Sequence, residues 1–278
     1  MVEKQVNGIW VAEFKSIHEF EKFITEKQEN NVFRDSYYLS SKDKSFWAVD
    51  FTKTKSFDEA VNLLRNGWVD KAKELTKKLK AVERDMAPIM KQQRCVSVAG
   101  YQPIVPLFLA GQPANMIGTR MQPVKQKVVT LVKSISYTGN VEPTEWTEQG
   151  LKALAVVKKL ESNGLRVNVD IVRGGYDSDS HSKGIVCRVR VKNANERLNV
   201  SKLAFTMCHP SMQRRLMFRF TEVYDKVSSG YRSTYGMTFR TSDWKKVLDK
   251  KKEYLLPSFI NGDVDKVRDV ADVEKLGY

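Results

Sequence analysis

The succession of strand, helix and strand between residues 127 and 172 constrains this chain more than any other feature. "VVTLVKSISY" is dense in β-branched residues and of strand length. "EWTEQGLKALAVVKKLESNG" follows, with Leu151, Leu154, Ala155 and Leu160 on its inward face and Gly164 as a stop. "LRVNVDIV" then alternates from Leu165 to Ile171, which returns the chain to a strand. Two strands joined in this way pair in parallel through a right-handed crossover. A further strand, "GIVCRVRVK", alternates Val, Ile and Cys with Arg and Lys. Charge on every second residue predicts a position near the sheet edge or one solvated face. The expected fold is α/β: a layered domain with a mainly parallel or mixed sheet and an α+β N-terminal elaboration.

Three regions follow from the local patterns. Residues 1–95 read as an α+β N-terminal region with a basic helix. Within it "SFWAVDF" is rich in strand formers and reads as a strand. Ser56 and Glu59 are spaced as a capping box, and Gly67 marks the stop, with Trp68 folding back. "VDKAKELTKKLKAVERDMAPIMKQQR" continues as a basic amphipathic helix as far as Pro88. Residues 96–240 form the α/β core domain, entered through the Pro/Gly-rich "SVAGYQPIVPLFLAGQPANMIGTRMQP". Its Val105, Leu107, Phe108 and Leu109 would be a sticky patch if free, so they are expected to pack on the main sheet or on a partner. Residues 241–278 read as a C-terminal helical tail.

Charge gives the strongest clue to partners. The 47 Lys and Arg outnumber the 33 Asp and Glu, a formal net charge of +14, which favours polyanions. Candidate anion or nucleic-acid ligands are Arg214, Arg215 and Arg219, together with Lys71, Lys77, Lys78 and Arg84 of the basic helix. In "CHPSMQRRLMFRF", Pro210 suits a first helical turn, and Met212, Leu216, Phe220 and Val223 recur as one apolar stripe. Arg215 and Arg219 lie beside Glu222 on a neighbouring face, and Arg214 lies on another side near Phe218.

Signals for catalysis are weak. Cys208 and His209 are adjacent, so their side chains diverge, and no paired ligand spacing accompanies them. "GGYDSDSH" gathers Asp177, Asp179 and His181, weak metal candidates on a loop, and Asp170 is the upstream carboxylate a two-metal nuclease would need. No phosphate-binding glycine loop, dinucleotide fingerprint or nucleophile elbow occurs, and no cofactor is expected. Three dispersed cysteines imply no disulfide framework, and no segment has the length and apolarity of a membrane span.

"FTKTKSFDEAVNLLRNGW", "GYQPIVPLFLAGQPANMI" and "LAFTMCHPSMQRRLMFRF" together resemble a group of uncharacterised tailed-bacteriophage proteins. The matching residues are Ser56, Phe57, Glu59, Ala60, Asn66, Gly67 and Trp68, then Val105, Pro106, Leu109, Gly111, Pro113 and Met116. They continue with His209, Pro210, Arg214, Arg215 and Phe218, while Lys53 replaces a glycine of the pattern. The resemblance implies a phage origin and almost nothing about activity, while many specific motifs without a catalytic pattern fit a protein that works by binding. The expected partners are DNA or RNA and a phage or host protein, with no membrane association, in the host cytoplasm or the virion. A metal-dependent nuclease and a structural virion component are the alternatives.

Overall fold

The computed structural model describes residues 1–34, 39–83, 92–121, 128–139, 141–162, 164–177, 183–232, 235–249 and 253–256. The expected crossover is present. β6 (Val128–Ser134) runs into α6 (Pro143–Ser162) and returns as β7 (Arg166–Tyr176), parallel to β6. Val128 faces Arg166 and Ser134 faces Val172, so β7 runs on to Tyr176 beyond the carboxyl end of β6. β8 (Gly184–Lys192) pairs antiparallel with β7 and parallel with β2 (Ile9–Phe14). β1 (Val2–Val6) flanks β2, β10 (Glu253–Leu256) lies parallel to β6, and β9 (Met237–Thr238) pairs with β7. The mixed seven-stranded sheet thus runs β1-β2-β8-β7-β6-β10 with β9 off this path. The N-terminal α+β region contributes strands to the same sheet as the core.

Three sequence expectations need correction. β8 is central, not near an edge. Its charged residues face a carboxylate: Asp170 of β7 accepts from Arg188 and Arg190. "SFWAVDF" is helical, forming α2 (Phe46–Thr52), because Ser45 caps it by accepting from Ala48 N and no strand pairs with it. The tail is helical at first, as α9 (Thr241–Val247), but Glu253–Leu256 form the strand β10 where its sequence continues the helix as far as Tyr254. Its later residues lie outside the described ones.

One sheet face carries most of the core. Phe14, Leu131, Val167, Val169, Ile171, Cys187 and Val189 point towards α1 (Ile17–Glu26), α6 and α7 (Val200–Cys208). On α6 the buried stripe runs through Trp146, Ala153, Leu154, Val157 and Leu160, and Leu151 is only half-buried. A second layer, α3 (Phe57–Asn66) and α4 (Val69–Glu83), packs on α7. α3 is capped as its sequence predicts: Glu59 N donates to Ser56 Oγ, and Gly67 closes it at φ 81°. Trp68 folds back onto α7, its N–H donating to Ser201 O and its ring lying 4.7 Å from that of His209.

α6 and α7 approach so closely that only glycine fits between them. A Cβ on Gly150 would meet Met207 O at 2.4 Å and Cys208 Sγ at 2.5 Å. Gly150→Ala gains about 1 kcal/mol of helix propensity but overpacks by about 3 kcal/mol. A net loss of about 2 kcal/mol is expected in the urea midpoint.

The segment after Pro210 is helical, as its spacing implies, but the first part is not an α-helix. Met212–Met217 is a π-helix, followed by α8 (Phe218–Val223). Met212, Leu216, Phe220 and Val223 are buried as expected, yet Gln213, Arg215, Arg219, Thr221 and Glu222 are buried too. The helix is therefore enclosed on nearly every side, between the sheet and the N-terminal layer. On the opposite sheet face, Trp244 of α9 and Phe239 cover Ile9, Val11, Val132, Val172 and Val186.

The Pro/Gly-rich segment forms its own three-stranded sheet, β3 (Gln92–Ser97), β5 (Met116–Met121) and β4 (Gln102–Pro103), with α5 (Val105–Leu109) at one end. Val96, Val98, Tyr101, Val105, Phe108 and Leu109 are each more than half exposed. They do not bury against the main sheet, contrary to the first of the two expectations for this segment. Among the described residues no helix is long and apolar enough to cross a membrane.

Candidate functional site

The three arginines of the central helix diverge in role. Arg215 is fully buried and wholly engaged: Nε donates to Thr54 Oγ1 at 2.7 Å, Nη2 to Thr54 O at 2.7 Å, and Nη1 to Ser41 O and Asp43 O. Arg219 donates to Ile24 O, Lys27 O and Glu29, and lies 3.5 Å from Glu222. Both therefore hold the N-terminal layer to the helix, with every guanidinium nitrogen already donating. Together with Lys42, Arg219 holds the Glu29 carboxyl down at about 2. Arg214 differs. Its Nε and Nη2 are shielded from solvent and have no hydrogen-bond partner.

Aromatic rings surround that guanidinium. Arg214 Cζ lies 5.1 Å from the Phe51 ring centroid, 5.2 Å from Phe218 and 5.6 Å from Trp146. Arg173, from the carboxyl-terminal part of β7, lies 4.8 Å from the same Phe218 ring and donates to Thr221 Oγ1 and Tyr235 O. Neither Arg173 nor Arg214 forms an ion pair among the described residues. Burial, followed by repulsion from Arg173, pushes the Arg214 guanidinium down to about 10, so it stays cationic at neutral pH.

Two cavities meet at Arg214. One, of about 260 Å³, is lined by Ser40, Asp43, Ala48, Phe51 and Thr52; the other, of about 310 Å³, by Tyr137, Thr138, Arg173, Gln213 and Arg240. They share Gly139, Arg214 and Phe218. Thr138 Oγ1 in the second cavity is also buried without a partner. The loop after β6 is fixed by Gln213, whose side-chain amide accepts from Tyr137 N at 3.1 Å and donates to Tyr137 O at 3.0 Å. Gly174 N donates to Ser136 Oγ at 2.9 Å, tying this loop to β7. The crevice thus sits at the carboxyl ends of two parallel strands, where open α/β sheets place their ligands. The acid lining the first cavity, Asp43, accepts from Ser45 through both N and Oγ.

A larger concavity of about 500 Å³ over the other sheet face looks charged but neutralises itself. Asp170 is 1 % exposed and accepts from Arg188 and Arg190, and Arg188 also pairs with Glu253 at 2.6 Å. Arginines already bound to carboxylates have little left for an external anion. Both Asp170 oxygens are engaged in this way.

Among the described residues, the remaining sequence candidates do not join the Arg214 crevice. Lys71 pairs with Glu74 on α4, and Lys77 is exposed on the same helix. The Lys78 side chain and Arg84 lie outside the described residues. Asp177 is buried and accepts from Ser228 Oγ, while Asp179 and His181 lie outside the described residues. No cluster of three or more metal-ligating side chains occurs among the described residues. Arg173, Thr138, Phe51 and Trp146 escape sequence reasoning because only the fold brings them to Arg214.

His209 is the C-cap of α7, and its Nδ1 lies 2.8 Å from Ser211 Oγ. Burial pushes its imidazole down to about 4 from 6.5. The folded state therefore binds the proton later than the unfolded chain, so stability is full above pH 6.5 and is lost as pH falls towards 4. The loss amounts to about 3 kcal/mol. His209→Gln is expected to flatten that part of a denaturation-versus-pH profile.

The fold and crevice define a mixed α/β protein with an unpaired, aromatic-walled arginine site at the carboxyl end of its parallel strands. The chain belongs to the family described as a domain of unknown function, DUF7192, whose model matches residues 3–276. No curated protein and no solved structure matches it.

Proposed function

We propose that the protein is a phage-encoded, non-enzymatic interaction protein that binds nucleic acid, holding a backbone phosphate at Arg214. The carrying observation is the Arg214 guanidinium, with two nitrogens unpartnered in a crevice also lined by Arg173 and Arg240. An unpaired buried cation is costly, and an arriving phosphate relieves that cost with charge-assisted hydrogen bonds. The net charge of +14 supplies long-range attraction to the same ligand. The phage assignment rests on the motif resemblance, which includes Arg214 and Phe218. The exposed Phe108 and Leu109 favour a second contact, with a phage or host protein, in the host cytoplasm or the virion. The engagement of both Asp170 oxygens by arginines leaves the nuclease alternative without its upstream carboxylate.

Fluorescence anisotropy with labelled oligonucleotides between about 50 and about 200 mM salt tests this reading. Binding that weakens steeply with salt is expected. Absence of binding to DNA and RNA at the lower salt would sink it.

A further inference from the structure

We infer that the bound nucleic acid is single-stranded, with one phosphate on Arg214 and neighbouring bases stacked on Trp47 and Phe46. The inference rests on the nucleic-acid reading and adds the form of the ligand. Its independent support is α2. Phe46 is 76 % and Trp47 78 % exposed, and their ring centroids are 5.7 Å apart at 78°. Two large aromatic side chains in water at the start of a two-turn helix contribute nothing to the core. Trp47 stands four residues before Phe51, hence on the same helix side one turn away. Phe51 in turn lies against the Arg214 guanidinium and, at 5.8 Å, against Trp146. Aromatic surface therefore runs from solvent into the crevice beside its unpaired cation.

The charges around α2 suit a phosphodiester chain. Lys44 and Lys55 are exposed on either side of it, while Asp50 is paired with Lys53. Basic residues interleaved with exposed rings are the chemistry of single-strand binding, since every unpaired base offers a face to stack. A duplex keeps those faces inside its own stack, and its phosphates lie on a rod too wide for cavities of about 260 and 310 Å³. Rings outside the crevice as well as within it argue for a chain that continues beyond one nucleotide.

The test measures binding of oligothymidylate, oligouridylate, a duplex of equal length and thymidine monophosphate, by anisotropy or competition. Trp47 fluorescence provides a second readout. Single strands are expected to bind at least tenfold more tightly than the duplex or the mononucleotide and to quench Trp47. The double variant Phe46→Ala, Trp47→Ala, which removes exposed side chains only, should lose tenfold or more of single-strand affinity and keep its duplex affinity. Trp47→Phe should keep most affinity and lose the quench. Equal affinity for duplex and single strand, or for mononucleotide and oligomer, overturns the inference while nucleic-acid binding stands. Unchanged affinity in the double variant does the same. Failure to bind any of the four ligands overturns both readings.

Discussion

Arg214→Met is expected to remove most nucleic-acid affinity without weakening the fold. The phosphate contact it deletes is charge-assisted and worth about 1.5–3 kcal/mol, or a tenfold to hundredfold loss. The slope of log affinity against log salt should fall by about 0.7, one single-strand phosphate contact. Stability should move the other way or not at all. The guanidinium has no hydrogen bond at Nε or Nη2, so methionine strands no acceptor there. It gives up cation–π attraction of about 0.5–2 kcal/mol, regains part of that through sulfur–aromatic contact of about 0.3–1.5 kcal/mol, and ends the desolvation of an unpaired charge. A thermal midpoint equal to or above wild type is therefore expected. A marked fall would make Arg214 a structural residue.

Arg215→Met, one residue along, should do the opposite. Its guanidinium is fully buried and donates to Ser41 O, Asp43 O, Thr54 O and Thr54 Oγ1. Removal strands these buried acceptors, and a loss of about 4 kcal/mol in urea denaturation is expected. Because they flank α2 in the chain, the variant should also loosen the Phe46–Trp47 platform. Arg215→Lys should recover little, since an ammonium cannot match the guanidinium's fork of donors. The neighbours thus separate: one variant loses binding and keeps stability, the other loses stability first.

The parallel crossover was legible because its signals are local. β-branched runs, a stop glycine and a helix of fixed period all report on their own residues. The caps of α3 were readable for the same reason. β8 was misplaced because alternation reveals a charged side but not what faces it, and Asp170 stands in another strand. "SFWAVDF" reads as a strand because strand formers dominate so short a run, whereas the Ser45 cap makes it helical. The central helix was read at 3.6 residues per turn, whereas Met212–Met217 is a π-helix, so side-chain directions differ from that wheel. The sequence marked the Arg214–Arg215 pair as the functional question. Which of the two has free donors depends on Ser41, Asp43 and Thr54, residues 161–174 positions away.

Arginine-selective ¹⁵N NMR tests the central claim most directly. Arg214→Lys assigns the Nε–H resonance of the wild-type protein. Titration with oligothymidylate should shift that resonance and slow its exchange with water, as an unpaired donor acquires a phosphate oxygen. The Arg215 Nε–H, already bound to Thr54 Oγ1, should stay unmoved. An Arg214 resonance that stays in place while anisotropy reports saturation would contradict the account.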